Sequence, residues 1–251
     1  TRWIAAATAC AIVIGLLAAR ARPLPTILVV LAVLTVFFVG LVYLNLRALR
    51  AVQTAQRLTN AGDFDGAFAL LEREVRRAQS NGMAGYAQLL IANMRFLQGR
   101  FDNALWRCDQ AYAELGCQVA TAKHLGQTVT ASSYEAHLTT ASVLRARTLA
   151  CLGRFDEAAA EIERLTDVPR ELSFFVSLAT CLRVSDIEGA TSLVERRDLD
   201  LPLTHQTEML VDLVRSKAGQ LSDYERQWLR DELERDERLI VWTKAIAPSL
   251  L

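Results

Sequence analysis

The sequence predicts an all-α protein: two apolar spanning helices followed by an α-solenoid of about five helical hairpins. Three observations carry this expectation. Up to Gly62 the chain contains no Asp or Glu and includes two long uncharged apolar blocks. Beyond them, apolar residues recur three and four apart in helix-length runs separated by Gly-centred breaks. One six-residue phrase is also written three times, as GDFDGA at 62–67, GRFDNA at 99–104 and GRFDEA at 153–158.

The leader comes first. Over 251 residues, 28 basic side chains balance 28 acidic ones. Yet the only charges before Asp63 are Arg2, Arg20, Arg22, Arg47, Arg50 and Arg57. A basic, apolar leader therefore precedes a slightly acidic domain. No Lys/Arg stripe interleaved with aromatics appears, which excludes a nucleic-acid face. Residues 3–19 are uncharged, and so are residues 26–46. A helix needs about 20 residues to cross a hydrocarbon core of about 30 Å. The second block is read as a transmembrane helix, and the shorter first block as its partner in a hairpin over 1–47. RARPLP between them is a tight turn, because Pro23 and Pro25 resist helix continuation. The alternative for the first block is a secretory signal peptide with Arg2 as its basic end. Phe37, Phe38 and Tyr43, on a helix apolar on every face, point to lipid.

Orientation follows from Lys/Arg asymmetry. Arg20 and Arg22 lie in the turn, while Arg2, Arg47, Arg50 and Arg57 lie at the ends, which places both ends in the cytoplasm. Cys10, Cys108, Cys117, Cys151 and Cys181 lack CxxC spacing, as fits unpaired cytoplasmic thiols. The Ala/Arg-rich composition is compatible with a bacterial inner membrane.

The repeated phrase occupies the next stretch, 48–235. In each copy a Gly ends one helix, because it takes the left-handed conformation at little cost. The Asp after the Phe (Asp65, Asp102, Asp156) is expected to receive the free amides of the next helix. Phe64, Phe101 and Phe155 are expected to plug the corner. Ala67, Ala104 and Ala158 are small where two helices cross.

These residues resemble the tetratricopeptide repeat, a helical hairpin of about 34 residues. Gly99, Phe101, Asp102, Ala104 and Ala111 match its second-helix signature in full. The Gly62 and Gly153 copies depart at Glu74 and Leu165, where the family has a small residue. The family's small first-helix residue falls at Ala55, Ala92 and Ala146. SDIEGA (185–190) and the stretch from Gly219 are weaker copies; Asp212 and Tyr224 stand where small residues are expected. An enlarged interval between Gly99 and Gly153 locates an insertion at about 117–133.

No chemical constellation accompanies the repeats. His124, His137 and His205 are too dispersed for metal-ligand spacing, and no nucleophile elbow or phosphate loop occurs. Cys108 and Cys151 sit in apolar helical contexts, and acidic pairs such as Glu72 and Glu74 read as solvated faces. The expectation is no enzyme, no cofactor, no metal and no small-molecule substrate.

The resemblance implies instead a partner groove lined by first helices. It would present Tyr86, Leu89, Leu90, Asn93 and Phe96 from the second unit. Val143, Leu144 and Arg147 would come from the third, Phe175, Val176 and Arg183 from the fourth, and Met209, Leu210 and Lys217 from the fifth. Leu89 and Leu97 stand where the family's carboxylate clamp carries a cation. An apolar groove of this kind suits an amphipathic helix, or the chain's own insertion or tail. The tail, 236–251, ends in an apolar run with Trp242, and either folds back as a cap or docks elsewhere. The function expected is that of a membrane-anchored scaffold or adaptor binding protein partners at the cytoplasmic face of a lipid bilayer. The alternative is an accessory or assembly subunit of a larger membrane complex in transport, secretion or energy conversion, joined through its spans.

Overall fold

The computed structural model describes residues 23–78 and 83–250. Among them are eleven α-helices, one short 3-10 turn and no strands. The expected first span, 3–19, lies outside the described residues. The chain divides into two compact units, residues 1–87 and 88–251.

In the first unit, α1 (Pro23–Asn60) is a single helix of 38 residues. Its beginning carries the uncharged run, and its end carries Ala48, Val52 and Ala55, all buried. This end packs on α2 (Phe64–Ala78), which contributes the buried Ala67 and Leu71. Among the described residues, no helix is long and apolar enough to cross a membrane. Glu74 of α2, expected on a solvated face, is buried instead. A third helix, α3 (Ala84–Leu97), begins in this unit and continues into the second.

The second unit continues with α4 (Phe101–His124), α5 (Thr128–Cys151), α6 (Phe155–Glu163), α7 (Arg170–Arg183) and α8 (Ile187–Glu195). After these come α9 (His205–Lys217), α10 (Asp223–Arg235), α11 (Glu237–Ile246) and the 3-10 turn Pro248–Leu250. Successive helices pack on one another, and α5 also packs on α7.

One corner is built repeatedly. Gly62, Gly99, Gly126, Gly153 and Gly219 all have φ between +67° and +84°, and Ser185 has φ 61°. At each, the residue's amide reaches back three residues and the next amide reaches back five. Gly153 N donates to Ala150 O at 3.0 Å, and Arg154 N to Leu149 O at 2.9 Å. This is the paired closure of a helix end that requires a left-handed residue. Every expected crossing alanine is buried, at 55, 67, 92, 104, 146 and 158. Ala190, in the weaker fourth copy, is buried as well.

One expectation needs correction. The helices begin at the Phe, so the capping residues lie two positions before Asp65, Asp102 and Asp156, at Asp63, Arg100 and Arg154, with Asp186 in the fourth copy. Asp63 and Asp186 accept from Gly66 N at 2.9 Å and Gly189 N at 2.8 Å. Arg100 and Arg154 make no such bond, and Asp102 and Asp156 lie in the first turn, where their charge complements the helix dipole. The insertion expected at 117–133 is helical on both sides of a corner. It lengthens α4 and α5 to 24 residues each, joined at the Gly126 corner, with Leu125 and Val129 exposed at its tip.

Candidate partner-binding groove

The residues proposed for the groove fall into three environments. Tyr86 belongs to the first unit, where its hydroxyl accepts from Gln56 Nε2 at 3.5 Å. Leu89, Met209 and Leu210 are buried, Leu90, Val143 and Val176 half-buried, and Asn93, Arg183 and Lys217 exposed. Phe96 and Phe175 are brought together by a residue that the groove prediction did not include. The Trp242 ring lies 5.9 Å from that of Phe96, edge-on, and 6.4 Å from that of Phe175. Aromatic pairs favour these tilted and edge-on arrangements over a flat sandwich. Phe96 also meets Phe101 at 5.5 Å.

The tail therefore folds back within the second unit. Helix α11 packs on α7 and α10, and the 3-10 turn packs on α9 and α11. Arg183 Nη1 donates to Ala245 O at 3.1 Å. Trp242, Ile246 and Ala247 are fully buried. At the corner after α3, a Cβ on Gly99 would lie 3.4 Å from Trp242 Cα, so this glycine also lets the tail backbone approach. The sequence flagged the apolar tail. It did not pair Trp242 with Phe96 and Phe175, because such contacts join distant segments.

Arg147 has a different role from the one expected. Its guanidinium pairs with Glu171, lies 5.1 Å from the Phe175 ring and reaches Thr204 Oγ1 at 3.4 Å. Glu171 Oε1 accepts from Thr207 at 2.6 Å and Thr204 at 3.1 Å. This network ties α5, α7 and α9 together, and Arg147 is buried within it.

The remaining titratable groups are set by burial. Burial pushes the Cys108 thiol up to about 12 and raises Cys151 and Cys181 as well, which makes them poor nucleophiles. It lowers His137. Asp212 is raised by burial, with Arg215 pulling the other way. Among the described residues, no group of three or more His, Cys, Asp or Glu side chains is placed to hold a metal ion. A second depression, of about 240 Å³, lies between α9, α10 and the segment before α9, lined by Leu199, Leu203, His205, Asp212 and Trp228.

In comparisons with known proteins, no family model, curated protein or solved structure matches this chain.

Proposed function

We propose that this chain is a membrane-anchored, tetratricopeptide-like adaptor. Its apolar leader spans a bilayer, and its helical hairpins present a groove for protein partners at the cytoplasmic face. The observation that carries the reading is in α1. That one helix holds the uncharged run 26–46 and, without a break, the buried residues of the first hairpin. Within the run, Val36 is 73% exposed and Phe38 65%, with Leu31, Val39 and Tyr43 also exposed. An apolar face this continuous is unfavourable in water and calls for lipid or another apolar helix. The closing corners and the buried alanines support the repeat reading. Such units bury their faces only against neighbours and leave an extended surface for partners.

Alkaline extraction of membranes from cells expressing the full chain tests the anchor. The wild type should remain in the pellet. The Val36→Asp, Val39→Asp double variant should move to the supernatant, since each Asp at a span centre costs about 2.5–3.5 kcal/mol. A wild type released by alkali ends the anchored reading. The accessory-subunit alternative is favoured if partners purified in mild detergent are lost on changing the spans but kept with Asn93→Arg. Accessibility of cysteines placed between the two apolar blocks, near Arg20 and Arg22, reports orientation, and labelling from the cytoplasm reverses it.

A further inference from the structure

The groove assigned above to partners is filled at one end by the chain itself. We infer that residues 237–250 are a displaceable resident occupant, and that the partner is an amphipathic helix carrying a large aromatic at the place of Trp242. This rests on the adaptor reading, because it identifies what that groove recognises and how access is controlled.

Four observations carry it. Phe96 and Phe175, expected from two different repeats to face a partner, both meet the same tail ring. Arg183, a third expected groove residue, donates to a main-chain carbonyl near the end of α11. A cation at that position holds the exposed carbonyls of any helix terminus seated there. The tail's fit is incomplete: Trp242 Nε1 and Thr243 Oγ1 are buried without a hydrogen-bond partner. Unpaired buried donors weaken the hold of a segment that is otherwise apolar. Finally, α11 is joined to α10 through Asp236 alone, whose backbone is extended (φ −122°, ψ 92°). The tail can therefore leave at that residue without unwinding α10.

The resident segment defines the partner's chemistry. It is a helix of about three turns with an aromatic ring for the Phe96–Phe175 slot. Apolar residues follow one turn later, as at Ala245 and Ile246, with free carbonyls for Arg183. Phe suits the aromatic position at least as well as Trp, because it brings no orphaned N–H. Covalent attachment gives the tail an effective concentration in the millimolar range, so an outside helix competes poorly until the tail is loosened.

The test uses full-length protein in detergent and a fluorescent peptide with the sequence of residues 237–250. Peptide binding, read by anisotropy, should be weak to the wild type and at least about 10-fold tighter to Trp242→Ala. Adding Phe175→Ala should remove the gain. A peptide with Phe at position 242 should bind as well as the natural one. If Trp242→Ala loses helicity, a protease site inserted after Asp236 provides the second arm. Cutting it keeps every contact but removes the tether, and labelled peptide should then exchange in. Equal weak binding to wild type and variant, or a cut tail that resists excess peptide, overturns the inference and makes the tail a fixed part of the core. Dimers that form through tail exchange overturn it too, by assigning the slot to a second copy. Peptide exchange in a protein that recruits no partner leaves only the displaceable tail standing and defeats the adaptor reading, and the partner helix with it. Partner binding that ignores both Trp242→Ala and Phe175→Ala does the reverse.

Discussion

Arg145 of α5 donates to Glu161 of α6 at 2.6 Å, and the Glu161 side chain is only 2% exposed. Arg145 also donates to Asp109 of α4 at 2.8 Å. One guanidinium thus joins three successive helices and neutralises a carboxylate that lies almost entirely out of water. Removing Arg145 leaves the Glu161 carboxylate only the longer contact to the exposed Arg164, at 3.3 Å, and breaking a buried pair is strongly destabilising.

Arg145→Met should therefore cost about 3 kcal/mol in urea unfolding, a figure typical of broken buried pairs. The double variant Arg145→Met, Glu161→Leu should recover most of that loss, because the charges left without a partner, on Asp109 and Arg164, are exposed to water. Equal losses in the single and double variants would show that packing, not charge, dominates at this crossing.

Ser185 holds the left-handed conformation that the equivalent corners give to Gly62, Gly99, Gly153 and Gly219. A side chain there costs roughly 1–2 kcal/mol, offset in part by the greater freedom of Gly in the unfolded chain. Ser185→Gly should raise stability by about 0.5–1 kcal/mol, while Gly153→Ala should lower it by about 1 kcal/mol. Thermal melts of the two variants check the pair.

Asp186 and Gly189 are matched. A Cβ on Gly189 would stand 2.1 Å from Asp186 Oδ2, and the same relation holds between Gly66 and Asp63 at 2.3 Å. Gly189→Ala must therefore push the capping carboxylate aside, with a loss of about 1 kcal/mol. Asp186→Ala should cost a similar amount, and the two together little more than either. Additive losses would show that the alanine does not act through the cap.

Asp212 carries a carboxyl raised by burial against the pull of Arg215. The folded protein then binds its proton more tightly than the unfolded chain. Stability falls as pH rises from the ordinary aspartate value of about 3.9 through the raised one. The side chain is partly exposed, so solvent screening keeps the effect small. Asp212→Asn should raise the melting temperature by about 1–2 °C at pH 7 and leave it unchanged near pH 3. A gain that is the same at both pH values would exclude titration as its source.

The repeat corners were legible because they depend on local chemistry. A left-handed residue and a small crossing residue fall at fixed offsets, and both are found where expected. The extension of α4 and α5 was not legible. The repeat pattern locates the inserted residues without saying what they build; they are helical, and Thr121, Thr139 and Thr140 bond back to carbonyls four residues earlier in their own helices. The true capping residue was missed because Asp65, Asp102 and Asp156 recur in every strong copy, whereas the cap itself alternates between Asp and Arg. The Arg147–Glu171–Thr207 network and the seat of Trp242 join residues far apart in sequence, and no pattern within one repeat signals them.

The unbroken course of α1 has a mechanical consequence. A helix advances about 1.5 Å and turns about 100° with each residue, so the apolar run and the first hairpin share one fixed phase. A single residue inserted near position 47 would swing α2 around the helix axis by roughly a quarter turn, with every contact inside the hairpin retained. The length of this one rod, to the residue, sets which flank of the first hairpin looks toward whatever surrounds the run.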